Sequence, residues 1–289
     1  MGVLPKVLNT VREAGQIRHA HDGHRIALVP TMGALHQGHL ELIRHARTLA
    51  EVVVVSIFVN PLQFGVGEDF DRYPRTLEDD VALLADEGID YVFAPDASEM
   101  YPQGVTIPAM HAGPVGTTFE GAARPTHFDG MLTVVARLFD VVGPSVAVFG
   151  QKDAQQVFLV RQMMAEKDWP MELSVVRTVR EADGLALSSR NRFLDESQRR
   201  LAHVMPEALS ALMANAEQGP FVARAAGRQV FADAPLARLG YLDLVDPQTF
   251  EAVSDDYRGP AIAVIAAVIG STRLIDTDNL FLGPQGADS

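Results

Sequence analysis

Arg25-Ile26-Ala27-Leu28-Val29-Pro30-Thr31-Met32-Gly33-Ala34-Leu35-His36-Gln37-Gly38-His39 joins a strand to a helix. Arg25 to Val29 is a short apolar run that Pro30 is expected to stop. After His39, residues Leu40, Ile43, Ala46, Leu49 and Ala50 fall on one helical face. Between the two elements, a pair of glycines lets backbone come close to a ligand. The helix start offers unsatisfied N–H groups and the positive end of a dipole. His36 and His39, three residues apart, share one side of the first turn. A protonated imidazole there can donate to phosphate oxygens as charge builds in a transition state. The alternative is that the two histidines only cap or line the loop.

Working outward, Val52 to Val59 is β-branched and almost wholly apolar, as suits a strand covered on both faces of a parallel sheet. Tyr91 to Ala94 and Ser145 to Phe149 are similar, and Leu173 to Val176 is a weaker instance. Helical spacing fills the gaps. Leu77, Val81, Leu84 and Ala85 precede Gly88; Leu132, Val135, Ala136 and Phe139 precede Gly143-Pro144; Val157, Val160, Arg161 and Met164 follow Asp153. The alternation predicts an α/β domain over residues 1–178, a parallel sheet with helices on both faces, with binding sites at the C-terminal strand ends. Beyond it come a polar stretch, a helical segment from Glu196 to Glu217, an alternating strand Gly240–Val245 and an apolar strand Ala261–Ile269. These predict a smaller α+β domain over 179–289, with a frayed tail from Gly283 to Ser289.

The 289 residues carry a net charge of −13 and no cysteine, which excludes disulfides, thiolate metal sites and thiol nucleophiles. That charge also argues against nucleic acid or a membrane surface as partner. The longest apolar run, Ala261 to Ile269, is far short of a membrane span, and no secretory signal is visible, so a cytoplasmic protein is expected. Lysine occurs only at positions 6, 152 and 167, and none is followed by Ser or Thr, so no G-x-x-x-x-G-K-[ST] loop exists. G-x-G-x-x-G and H-E-x-x-H are absent as well.

Several further segments carry polar groups at strand ends. Asn60 and Gln63 place neutral amides after the valine-rich strand, suited to hydroxyl and carboxylate oxygens, although Asn60-Pro61 is also a turn dipeptide. Glu78, Asp79 and Asp80 lie near a helix start; complementing the helix dipole is one reading, and a Mg²⁺ contact at Asp80 is the other. Lys152, in a chain that otherwise prefers arginine, follows a strand where a compact ammonium suits a phosphate oxygen. Ser188-Ser189-Arg190-Asn191, read alone, is a turn.

Pro30-Thr31-Met32-Gly33-Ala34-Leu35-His36-x-Gly38-His39 closely resembles the signature of the pantothenate synthetases, within the H-x-G-H nucleotidyltransferases. Tyr73-Pro74-Arg75-Thr76, Arg124-Pro125-x-His127-Phe128-x-Gly130, Phe149-Gly150-x-Lys152-Asp153-x-Gln155, Ser188-Ser189-Arg190 and Gly270-x-Thr272-Arg273-Leu274-Ile275-Asp276 resemble further strings of that family. Leu62, Gln151 and Leu187 depart from its common Met, Glu and Met.

The resemblance implies a Rossmann-like fold. It also implies ATP-dependent condensation of (R)-pantoate with β-alanine through a pantoyl adenylate, with Mg²⁺ accompanying ATP, and a homodimer in which the apolar C-terminal strands are available for an interface. ATP would contact Met32, Gly33, Ala34, Leu35, His36, Gln37, Gly38, His39, Gly150, Gln151, Lys152, Asp153, Val179, Leu187, Ser188, Ser189 and Arg190. Of these, Val179 and Leu187 would flank the adenine. His36, His39, Lys152, Ser188, Ser189 and Arg190 would stabilise the reacting phosphates. Asn60, Gln63, Tyr73, Arg124, His127 and Gln156 would hold pantoate and β-alanine. Domain closure would hinge on Arg180 to Gly184. Other readings of the same strings are a different nucleotidyltransferase, a tRNA-charging protein or a non-catalytic ATP binder.

Overall fold

In the computed structural model, which describes residues 4–65, 67, 68 and 70–284, the elements run in chain order as follows. The first part holds β1 (Lys6–Leu8), α1 (Val11–Gly15), α2 (Ile17–Ala20), β2 (Ile26–Thr31), α3 (Gln37–Leu49), β3 (Val52–Ile57), α4 (Leu77–Leu84), β4 (Tyr91–Phe93), α5 (Ala97–Met100), α6 (Phe119–Ala123), α7 (His127–Val142), β5 (Val146–Gly150), α8 (Ala154–Glu166) and β6 (Glu172–Val176). Then come α9 (Glu196–Ala202), α10 (Val204–Ala214), α11 (Pro220–Ala232), β7 (Ala237–Val245), β8 (Gly259–Ile269) and β9 (Thr272–Leu282). Two compact units result: Met1–Gly150 with Leu159–Val176, and Gln151–Phe158 with Arg177–Ser289. A single cut at 178 puts Lys152 with the first domain, whereas this grouping puts Gln151–Phe158 with the second unit.

The first unit is built on six parallel strands in the order β1-β4-β3-β2-β5-β6. Strand order reverses between β2 and β5, so the crevice at their C-terminal ends is the topological switch point where ligands bind in such sheets. Val52 to Val55, with no polar alternation, are all buried because helices cover the sheet. Leu35, Leu40, Ile43 and Ala46 pack on Ala27, Val29, Val53, Val55 and Val148 in one cluster. Pro30 does not end β2, which continues through Thr31. At Pro30 the strand pairs with Ser56 of β3, while its pairing with β5 is confined to Ala27 and Leu28, so the missing N–H interrupts no ladder bond.

In the second unit, β7-β8-β9 form an antiparallel sheet. The segment read as one helix from Glu196 breaks at His203. Pro206 sits in the first turn of α10 and would clash with the carbonyl of Ala202 in a continuous helix. Strand β9 was not anticipated, because Asp276, Thr277, Asp278 and Asn279 interrupt its apolar pattern; it returns from β8 through Gly270-Ser271, with Gly270 at φ 60°. One face of the apolar run of β8 is turned into the core. Ala261, Ala263, Ile265, Ala267 and Ile269 are buried in a core shared with α10 and α11. Residues 285–289 of the expected tail lie outside the described residues. Among the described residues, no helix is long and apolar enough to cross a membrane.

Leu28 is fully buried in β2, just before the histidine loop. Leu28→Ala should lower stability by about 2–5 kcal/mol, read as an earlier urea midpoint. A change under ~1 kcal/mol would show that the sheet centre is not tightly packed.

Candidate functional site

The loop after β2 is shaped from beneath. Thr31 Oγ1 donates to the Ser56 carbonyl at 2.7 Å and accepts from the Gly33 N–H at 3.2 Å. Gly33 and Ala34 then both take left-handed backbone, φ 80° and 51°. For alanine that region is unfavourable and needs an outside hold. Asp80 of α4 supplies it: Oδ2 accepts from Ala34 N–H at 2.9 Å and Oδ1 from Leu35 N–H at 2.8 Å. Gly33 has no room for a side chain, since a Cβ would lie 3.0 Å from both Asp80 Oδ2 and Ile57 Cγ2. Asp80 is only 3% exposed. From the first turn of α4 its carboxylate clamps the loop. Among the described residues, no group of three or more His, Asp or Glu side chains is placed to hold a metal.

The clamped loop delivers the histidines. His36 is the N-cap of α3, its Nδ1 accepting from Gly38 N–H at 3.1 Å, and His39 Nδ1 accepts from His36 N–H at 3.3 Å. An accepting Nδ1 bears no proton, so in this arrangement the donor nitrogen of each ring is Nε2. Their centroids are 4.0 Å apart, which disfavours two charges there. Capping and donating are thus combined: Nδ1 holds the helix start and Nε2–H remains the donor. Of the loop's other expected contacts, Gln37 is exposed and Met32 is half-buried.

Next to Met32 lies the amide pair. Gln63 Nε2 donates to Met32 Sδ at 3.2 Å, and Asn60 Nδ2 donates to Gln63 Oε1 at 3.1 Å. Asn60 is fully buried with all its hydrogen-bonding capacity used inside the protein, and one of those bonds holds the Gln63 amide. His127 is likewise internal: Nδ1–H donates to the Gln63 carbonyl at 2.8 Å and Nε2 accepts from Arg124 at 3.2 Å. Arg124 forms a two-pronged pair with Glu68, at 2.9 and 2.6 Å. Both residues brace the Gln63 backbone. Tyr73 is buried beside Phe64. Sequence reasoning missed Tyr101, which donates to Asn60, and Glu68; neither stands in a motif. Gly130 was quoted, but its reason is spatial, since a Cβ would fall 2.0 Å from the Leu62 carbonyl.

The second unit gathers the other phosphate candidates. Lys152 follows β5 in a short turn with buried Gln151 and Asp153, and its Nζ donates to the Leu187 carbonyl at 3.2 Å. The Gln151 carbonyl accepts from Thr277 Oγ1 at 2.8 Å, and Gln156 lies half-buried in the first turn of α8. Leu187 N–H donates to the Val179 carbonyl, closing a hairpin that ends in Ser188, whose Oγ accepts from Arg190 N–H at 3.2 Å. The segment read as a hinge is pinned. Arg180 holds buried Asp276 through two bonds, at 2.6 and 3.0 Å, while Arg199 binds Glu181 and Asp183. Asn191 also donates to Glu181 Oε1 and to the Ala186 carbonyl.

The family model of the pantoate–β-alanine ligases matches residues 6–279. The chain belongs to this family. A pantothenate synthetase of Leifsonia xyli is 55% identical over 96% of this chain and 98% of its own. The crystal structure of a Thermus thermophilus pantothenate synthetase shares 46% identity, with a TM-score of 0.89, over 96% of this chain and 100% of that one. A Francisella tularensis pantoate–β-alanine ligase, described as complexed with β-γ ATP and β-alanine, shares 31% identity with a TM-score of 0.78, over 95% of this chain and 97% of that one.

Two outcomes follow for this ligase-family chain. Asp80→Asn keeps the volume but sets an NH₂ against one backbone N–H. It should cost about 2–3 kcal/mol of stability, and about a hundredfold in kcat through the displaced histidines; unchanged kcat would remove the clamp from the account. Burial, then the Arg124 charge, lowers His127 to about 4 from 6.5, against the pull of the Gln63 carbonyl. The unfolded chain therefore binds this proton first. Stability from this group is full above pH ~6.5 and falls by about 3 kcal/mol as pH drops to ~4. Urea midpoints at pH 7, 5.5 and 4 should show that fall, and His127→Asn should flatten it.

Proposed function

We propose that this chain joins (R)-pantoate to β-alanine at the expense of ATP. The pantoate carboxylate attacks the α-phosphorus, forming pantoyl adenylate and releasing pyrophosphate. The β-alanine amine then attacks the acyl carbon, and AMP leaves with the electron pair of the broken C–O bond. Activation is required because a carboxylate does not expel oxide, whereas AMP is a good leaving group.

The observation that carries this reading is the tautomer of the histidine pair. At the start of a thirteen-residue helix by the sheet's switch point, each of two imidazoles accepts a backbone N–H at Nδ1 and so carries its proton on Nε2. Such donors, with the helix N-terminus, stabilise growing negative charge on phosphate oxygens and need no proton transfer. Gln63 offers amide hydrogens, which hold a carboxylate without protonating it and so leave it nucleophilic. By the family resemblance, Lys152 and the Ser188-Ser189-Arg190 loop of the second unit would add donors for the triphosphate. When bound, Mg²⁺ would neutralise the phosphates; among the described residues no cluster of three or more His, Asp or Glu forms a cage for it. The same proposal includes a cytoplasmic homodimer with no nucleic-acid partner, as the family resemblance and the negative charge suggest.

The test is pantoate-dependent pyrophosphate release. His39→Ala and Lys152→Ala should each lower its rate by about 10²–10³, the usual loss for one preorganised donor. Near-normal rates in both would overturn the assignment.

A further inference from the structure

The orientation of the Gln63 amide follows from the groups that hold Asn60, two of them backbone and the third Tyr101. Leu62 N–H can only donate, and the Gly130 carbonyl can only accept. The Asn60 side chain lies between them, 3.2 Å from the first through Oδ1 and 3.0 Å from the second through Nδ2. Its amide therefore fits one way round. The other Nδ2 hydrogen points at Gln63, which must answer with its oxygen, at 3.1 Å. That leaves the Gln63 NH₂ on the opposite side, on Met32 Sδ at 3.2 Å. A thioether is a weak acceptor, readily displaced by a carboxylate or hydroxyl oxygen. One lone pair of Asn60 Oδ1 remains, and the Tyr101 hydroxyl donates into it at 2.8 Å. Asn60 is then saturated at 0% exposure, and Tyr101, packed beside Phe58, is the side chain that completes it.

We propose that Tyr101 is a positioning residue that acts through Asn60 to fix Gln63 as a hydrogen-bond donor, so that this part of the site selects a substrate oxygen that accepts and rejects a donating group such as an ammonium. The proposal rests on the reading of pantoate as substrate. It implies that, of the two co-substrates, the carboxylate- and hydroxyl-bearing one meets Gln63, and that the amine of the other does not.

Tyr101→Phe keeps the ring and removes only the donor. Its KM for pantoate should rise about fivefold to tenfold, the loss expected of one buried hydrogen bond, with KM for ATP within about twofold and the melting temperature nearly unchanged. Asn60→Asp, of the same shape, replaces the Nδ2 donors by an acceptor and should turn Gln63 round, raising KM for pantoate by about a hundredfold or more. Equal KM values for wild type and Tyr101→Phe would overturn the proposal, as would KM values for pantoate and ATP that rise together. If the unaltered protein shows no pantoate-dependent turnover, the ligase reading fails, and the network is read directly. In ¹⁵N-labelled protein, the Asn60 side-chain amide, assigned by its loss in Asn60→Asp, should exchange slowly with water and faster in Tyr101→Phe. Identical exchange in the two would overturn the positioning role whatever the substrate.

Discussion

Asp80 closes both carboxylate oxygens on the amides of Ala34 and Leu35, 2.9 and 2.8 Å away and almost out of contact with water. The histidine site is arranged around that contact. It holds an alanine in left-handed backbone and sets where α3 begins, and the helix start in turn decides which nitrogen of each histidine bears the proton. The carboxylate comes from a different helix, so the loop is tied to the sheet and to α4 together. A site assembled in this way is preorganised, which is what charge stabilisation in a transition state requires.

A similar economy of polar groups governs the neighbouring amides and the second unit. Asn60, His127 and Arg124 all hydrogen-bond to Gln63, through its side chain or its carbonyl. In the second unit, the hairpin that carries Ser188, Ser189 and Arg190 is bound by Arg180 to Asp276 and by Arg199 to Glu181 and Asp183. Burial raises Asp276 while Arg180 opposes that shift, and the same ion pair raises Arg180 against its own burial. The hairpin is a braced clip, and Lys152 belongs to the same unit.

Much of this was legible in the residues. The valine run of β3, the strand–loop–helix around Gly33 and the change of character near residue 178 follow from local periodicity, and the histidine string identified the chemistry. What was not legible depends on contacts between distant positions. Nothing near Asp80 says that its partners are two amides some forty-five residues earlier, and Tyr101 stands in no motif. Strand β9 reads as polar because Asp276 is buried against an arginine nearly a hundred positions away. Pro206 could have marked the helix break. Gly130 was visible as a letter in a string, but the carbonyl that forbids a side chain there was not.

The central claim is that pantoate alone activates ATP before any amine takes part. The direct measurement is exchange of labelled pyrophosphate into ATP, with pantoate present and β-alanine absent. The account predicts exchange that requires pantoate and proceeds without β-alanine. Exchange that needs β-alanine, or none with pantoate, would contradict it.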